Sequence, residues 1–209
     1  MKPPLALSEQ ILAAALQRPE GSLLAAKQFL TLGTREAVDQ ALSRLFRRGQ
    51  LVKITRGRYA LPIRSRFGVR PPAPELVMAR LREDQGEELV GSGAAAANAL
   101  GLTTQIPVQQ TFLSRSRTRR RYLFGRQEVI LRQAPGWQFL LSNRPAGEAI
   151  RALAWLGPEQ AGNAMAKLRD AIPEQEWRAL LAVRAELPQW LVALLNQQQD
   201  QQEQQEPLG

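Results

Sequence analysis

The chain has 209 residues, with 28 Lys and Arg against 19 Asp and Glu, a formal net charge of +9. At ~150 residues per domain this length suggests one or two domains, enough to bury a core. Cysteine and histidine are both absent, which excludes disulfides, thiolate nucleophiles, Ser-His catalysis and zinc sites built on Cys or His. An enzyme is therefore the less expected class, and no cofactor or metal is expected. There is no run of about 20 apolar residues and no apolar leader after Met1, so a cytoplasmic protein without membrane contact is expected.

The charge is unevenly placed. Residues 1–70 carry +9, residues 71–150 carry +3 and residues 151–209 carry −3. A positive field concentrated in one terminal region is the footprint of a nucleic-acid-binding module. The basic side chains are 24 Arg and 4 Lys; Arg suits bidentate contact with phosphate and guanine, although a GC-rich genome gives the same bias.

Four segments are expected: an N-terminal domain over 1–70, a second domain over 75–157, a helical extension over 158–196 and a disordered or frayed Gln/Glu-rich tail over 197–209. The Pro-rich stretch 63–74 reads as a linker. Within the first segment, Ser8 can cap a helix to about Gln17 whose inner face is Ile11, Leu12, Ala15 and Leu16. Ser22 can cap a short helix over 23–30. Thr34 can cap a third, Arg35 to Arg48, closed by Gly49. Its apolar stripe is Val38, Ala41, Leu42, Leu45 and Phe46. Two strands then flank a tight turn at Arg56-Gly57.

Helix, helix, short turn, helix and basic hairpin is the order of a winged helix-turn-helix. The third helix would then enter a DNA major groove, and the hairpin would reach the backbone or minor groove. The candidate DNA-binding residues are Thr34, Arg35, Gln40, Ser43, Arg44, Arg47, Arg48, Lys53, Arg56 and Arg58. Arg35, Gln40, Ser43 and Arg44 suit base edges, Arg to guanine and Gln to adenine. Arg47, Arg48 and Lys53 suit phosphates, which position without specifying sequence. The plain alternative is that these charges solvate an amphipathic helix.

The second segment reads as helix 75–85, a short strand at Leu89-Val90, an Ala-rich helix 93–100 and strands at 109–113, 121–124, 128–132 and 138–141. Helices follow at 145–156, 159–170, 174–185 and 188–196. The fold class expected for the whole chain is α+β: a winged helix followed by an α+β domain with a helical C-terminal portion. Gly91-Ser92-Gly93-Ala94-Ala95-Ala96 fits G-x-G-x-x-A, but no acid lies between Glu88 and Glu128; tight helix–sheet packing explains the small residues better than a dinucleotide. No Asp-x-Asp pair is present to hold Mg²⁺ for nucleotidyl transfer. Glu83, Asp84, Glu87 and Glu88 would be the carboxylates of a metal-dependent enzyme, and they read instead as a solvated corner. The run Arg115, Arg117, Arg119, Arg120 and Arg121 has three readings: a solvated loop, a second basic nucleic-acid contact, or a docking point for an acidic partner. Trp137, Trp155, Trp177 and Trp190 read as packing residues.

Several stretches carry a family resemblance. The first is Phe29-Leu30-x-Leu32-Gly33-Thr34-Arg35 through Gly57-Arg58-Tyr59-Ala60-Leu61-Pro62. The second and more specific is Val90-Gly91-Ser92-Gly93-Ala94-x-Ala96-Ala97-Asn98-x-Leu100-Gly101-Leu102-x-Thr104-Gln105-Ile106-Pro107-Val108. The third is Ile150-Arg151-Ala152-Leu153-x-x-Leu156-Gly157. Over roughly residues 20–160 the chain resembles the AbiEi-type antitoxins of type IV toxin–antitoxin pairs. The resemblance implies a winged-helix N-terminal domain that represses its own operon at inverted repeats of promoter DNA. It implies a second domain that neutralises a nucleotidyltransferase-like toxin, by direct contact or functionally. The acidic, Gln-rich C-terminus departs from many members. The competing reading is a winged-helix regulator whose second domain senses a ligand.

Overall fold

A computed structural model describes residues 5–66, 68–105, 109–116 and 119–205. It is a mixed α+β protein. The chain divides into two compact units, residues 1–87 with 120–130, and residues 88–119 with 131–209.

The first unit begins with α1 (Leu7–Leu16). Ala6, not Ser8, is its cap residue, and the Glu9 carboxylate accepts from the Ala6 amide at 3.0 Å. Ile11 and Ala15 are fully buried, whereas Leu16 is exposed. The helix expected over 23–30 is reduced to a single 3₁₀ turn, Ala26–Phe29. The reason is a competing partner: Leu24 forms a β-bridge with Tyr59, its amide donating to the Tyr59 carbonyl at 2.8 Å and the return bond measuring 2.9 Å. A residue paired in this way cannot also enter a helix.

Next come α2 (Arg35–Arg47), β1 (Val52–Thr55) and β2 (Arg58–Ala60). Thr34 Oγ1 accepts from the Ala37 amide at 3.3 Å, as its cap position demands. Val38, Ala41, Leu42 and Leu45 pack with Ile11, Leu24 and Phe29 into one apolar cluster. Phe46, expected on that stripe, points outward and is 41 % exposed. Strand β1 pairs antiparallel with β2, with an irregular register between Lys53 and Thr55. Gly57 sits at φ +68°, the left-handed residue that lets a short hairpin close around a bulge.

The expected linker over 63–74 is partly structured. Strand β3 (Ile63–Ser65) pairs with β4 (Gly68–Arg70), with Ile63 opposite Arg70. Two short strands need little sequence, and Gly68 at φ +110° accommodates the reversal. Pro74 then opens α3 (Pro74–Gln85), where a missing amide costs nothing. Val77, Met78 and Leu81 of α3 are buried.

Strands β5 (Leu89–Gly91), β6 (Gln110–Ser114), β7 (Arg120–Phe124) and β8 (Gln127–Gln133) form a four-stranded sheet in the order β5-β6-β8-β7. Val90 lies opposite Leu113 in the antiparallel β5–β6 pair. Helix α4 (Gly93–Ala99) follows β5. The strand expected at 138–141 is a 3₁₀ turn over Gly136–Phe139, because Pro135 sets a turn and Phe139 is drawn into the core.

Three helices of the second unit share one core. They are α5 (Pro145–Ala171), α6 (Glu174–Ala182) and α7 (Gln189–Gln205). Helix α5 breaks at Gly157 (φ 74°, ψ 172°), just before Pro158, so its two legs fall where two helices were expected. Ile150, Leu153, Met165, Leu168, Trp177 and Leu191 are buried together. Trp177 is in this core, but Trp155 is 42 % exposed and is not a packing residue in the sense expected. Residues 197–205, expected as a disordered or frayed tail, continue α7. Gln and Glu are good helix formers, and Arg184 donates to Gln199 Oε1 at 3.0 Å. Residues 206–209 of that expected tail lie outside the described residues.

A clamp ties α6 to the start of α5. Arg144 donates through Nε and Nη2 to Glu176, with distances of 3.2 and 2.9 Å to Oε1, and Glu176 Oε2 also accepts from the Ala146 amide at 3.1 Å. The Arg144 hydrogen bond, with that amide, holds the Glu176 carboxyl below its ordinary range. A lowered folded-state value means the contribution is complete above the unfolded pKa, about 4.3, and fades as pH falls through the folded value. Unfolding midpoints followed from neutral to acid pH should drop more steeply for the native chain than for Glu176→Gln, which starts lower at pH 7. Parallel curves would show that the clamp contributes nothing.

Candidate functional site

The outer face of α2 and the β1–β2 hairpin carry seven basic residues of the first unit: Arg35, Arg44, Arg47, Arg48, Lys53, Arg56 and Arg58. Thr34, Arg35, Gln40, Arg44, Arg47, Arg48, Lys53 and Arg56 are exposed, and Ser43 and Arg58 are half-buried. All ten expected positions thus lie at the surface of one unit, on the two elements expected to carry them. Thr34 has a second task, since its hydroxyl caps α2.

The charges of this face are mostly uncompensated. Arg35 pairs with Asp39 at 2.9 Å across one helical turn, both exposed; such a pair is worth about 0–1 kcal/mol and yields easily to a stronger anion. Arg47 donates to Ser43 Oγ at 3.4 Å. Arg44, Arg48, Lys53, Arg56 and Arg58 make no ion pair among the described residues. The same unit contains a largely apolar groove of about 950 Å³, lined by Phe46, Ile54, Pro71 and Leu123, with Lys53 and Arg56 among its basic residues. Phe46 and Leu123 are exposed within it.

The arginine run 115–121 behaves differently. Arg115 pairs with Glu88 at 2.8 Å and lies 5.3 Å from the centre of the Phe139 ring. Arg120, half-buried, pairs with Glu87 at 3.0 Å, and Glu87 keeps only 11 % of its side chain exposed. Arg121 pairs with Glu128. Arg119 is exposed, and Arg117 lies outside the described residues. Three of these guanidinium groups are therefore already matched by carboxylates. The acidic corner is matched in the same way: Glu83 pairs with Arg80, and no group of three acids that could hold a metal ion occurs among the described residues. No described helix is long and apolar enough to cross a membrane.

The Asn98 segment, which carries the most specific resemblance, forms a tight structure. Asn98 Nδ2 donates to the Thr103 carbonyl at 3.4 Å and to the Gln105 carbonyl at 3.2 Å, so this side chain pins the turn after α4. Ile106, Pro107 and Val108 of the same segment lie outside the described residues.

A family model matches residues 10–178, from within α1 to within α6. The chain belongs to DUF6088, a family of unknown function. Neither a curated protein nor a solved structure matches it. The DUF6088 match takes in the basic face of α2, the hairpin, the whole four-stranded sheet and both legs of α5, so it spans the two compact units rather than one of them.

Proposed function

We propose that this DUF6088 protein binds double-stranded DNA through a winged helix-turn-helix in its first unit, and that it is the antitoxin and autorepressor of a two-gene toxin–antitoxin operon. One observation carries the DNA-binding part: five cations without carboxylate partners among the described residues share the outer face of α2 and the adjoining hairpin. The element order supports it: α1, the extended bridge residue Leu24, a 3₁₀ turn, α2 and a Gly-closed hairpin.

In this reading α2 enters the major groove. Arg35, Gln40, Ser43 and Arg44 face base edges, with Arg35 exchanging Asp39 for guanine or phosphate. Arg47, Arg48 and Lys53 neutralise phosphates, and Arg56 and Arg58 at the hairpin follow the backbone or minor groove. The protein works in the cytoplasm, where the DNA is. The antitoxin part rests on the resemblance of Val90 to Val108, and assigns neutralisation of a nucleotidyltransferase-like toxin to the second unit. A second reading, a winged-helix regulator with a ligand-sensing second unit, is favoured by the pocket around Arg151 described below.

Arg44→Ala should weaken binding to the DNA upstream of the gene by about 1–3 kcal/mol while leaving scrambled duplex nearly unaffected. Equal losses on both would reduce Arg44 to a phosphate contact. The antitoxin part is tested by inducing the adjacent reading frame in a naive bacterium, with and without the full-length chain. Growth arrest relieved by the chain is the expected result. A harmless neighbour, or an arrest the chain cannot relieve, would remove the antitoxin part and leave a DNA-binding regulator.

A further inference from the structure

The second unit contains a pocket of about 380 Å³, within the size range of small-molecule sites. Its wall includes Ser92, Thr111, Arg132, Gln138, Arg151 and Trp155, and none of its described lining residues is acidic. Arg151 is the only buried charged side chain among the described residues, 3 % exposed. Its Nε and Nη1 are buried and find no hydrogen-bond partner there. Arginine stays protonated in proteins, and a buried charge without a partner is strongly unfavourable.

No described residue supplies that partner. Glu148, one turn earlier on α5, is exposed and makes no ion pair with Arg151 among the described residues. Burial pushes the Arg151 guanidinium below its ordinary range, and only the charge of Glu148 opposes this. The position of Arg151 is nevertheless tightly fixed. A Cβ on Gly93 would lie 2.0 Å from the Arg151 carbonyl oxygen and 2.7 Å from Trp155 Cβ. Glycine at 93 thus lets the start of α4 press directly on α5 at the residues that line the pocket.

We infer that this pocket is a binding site for a small oxyanion, the phosphate or carboxylate group of a small molecule, with Arg151 as its buried counter-charge. Arg132 is exposed on the same wall and adds a second positive charge. Trp155 offers an indole, 42 % exposed, to a planar ring carried by the same ligand. Gln138 and Thr111 supply neutral hydrogen-bonding groups. A duplex phosphate is excluded as the occupant because a side chain 3 % exposed cannot be reached by a DNA backbone. This site is independent of the basic face of α2.

The test is titration of the full-length protein at constant ionic strength with three probes: sodium phosphate, adenosine 5′-monophosphate and benzoate. Binding is read by calorimetry, tryptophan fluorescence and the unfolding midpoint. At least one probe should bind saturably, one per chain, and raise the midpoint. Tighter binding of the nucleotide than of phosphate would identify an organic phosphate, tighter binding of benzoate a carboxylate, and equal binding of nucleotide and phosphate a free inorganic anion. Arg151→Met should weaken binding tenfold or more, and without ligand it should be at least as stable as the native chain, because it removes an unpartnered buried charge at nearly constant volume. Arg132→Gln, at the exposed wall, should weaken binding severalfold with the midpoint unchanged. Absence of saturable binding by all three probes would overturn the inference. So would binding that survives in both variants, or an Arg151→Met chain that unfolds while Arg132→Gln binds normally.

Discussion

A guanidinium does not lose its charge inside a protein, so each of the 24 arginines must meet water, a carboxylate or an anion from outside. Three groups among them differ in how their charge is compensated, with different consequences. Arg80, Arg115, Arg120, Arg121, Arg144, Arg169 and Arg178 have carboxylate partners and serve the fold. Arg44, Arg48, Arg56 and Arg58 lie on one surface of the first unit with no such partner. Arg151 is buried and unmatched. The last two groups are where an external anion lowers the energy most, and they define the two binding surfaces proposed for this chain.

The first surface depends on modest local devices. Thr34 fixes the start of α2, Leu24 ties the hairpin to the chain ahead of the 3₁₀ turn, and Gly57 lets the hairpin reverse within two residues. These keep the α2 face and the hairpin as parts of one compact unit, so their cations act together rather than as scattered charges. The second surface depends on a close approach instead. Gly93 and the α5 backbone at Arg151 meet at a distance that any side chain would forbid, which accounts for the glycine at 93, whereas Gly91 has open space around it.

Much of this was legible in the sequence, and the exceptions have physical causes. The Thr34 cap, the buried stripe of α2 except Phe46, and the Gly57 turn followed from local chemistry, and the structure has all three. The helix at 23–30 and the strand at 138–141 failed because long-range partners won: the Tyr59 backbone claimed Leu24, and the core claimed Phe139 after Pro135. The hairpin within 63–70 was hidden by neighbouring prolines that suggested a linker. The matched state of Arg115 and Arg120 was invisible because their carboxylates lie about 30 residues earlier, in a corner that looked solvated. In the sequence Arg151 stands out only as one position of the Ile150–Gly157 stretch. A lone charge inside Ala149-Ile150-Arg151-Ala152-Leu153 was the available signal, since a charge amid apolar neighbours on a buried helix must have a purpose.

The central claim is that the basic face of the first unit binds DNA, most of its cations on phosphates. It is tested most directly by the salt dependence of full-length protein binding to duplex DNA from upstream of its gene. Each neutralised phosphate contributes a slope of about −0.9 to log K against log salt. With Arg47, Arg48, Lys53, Arg56 and Arg58 placed against the DNA backbone, the account predicts a slope of about −4 or steeper, and a steeper one still if two copies bind together. A slope near zero, or no binding at low salt, would contradict it.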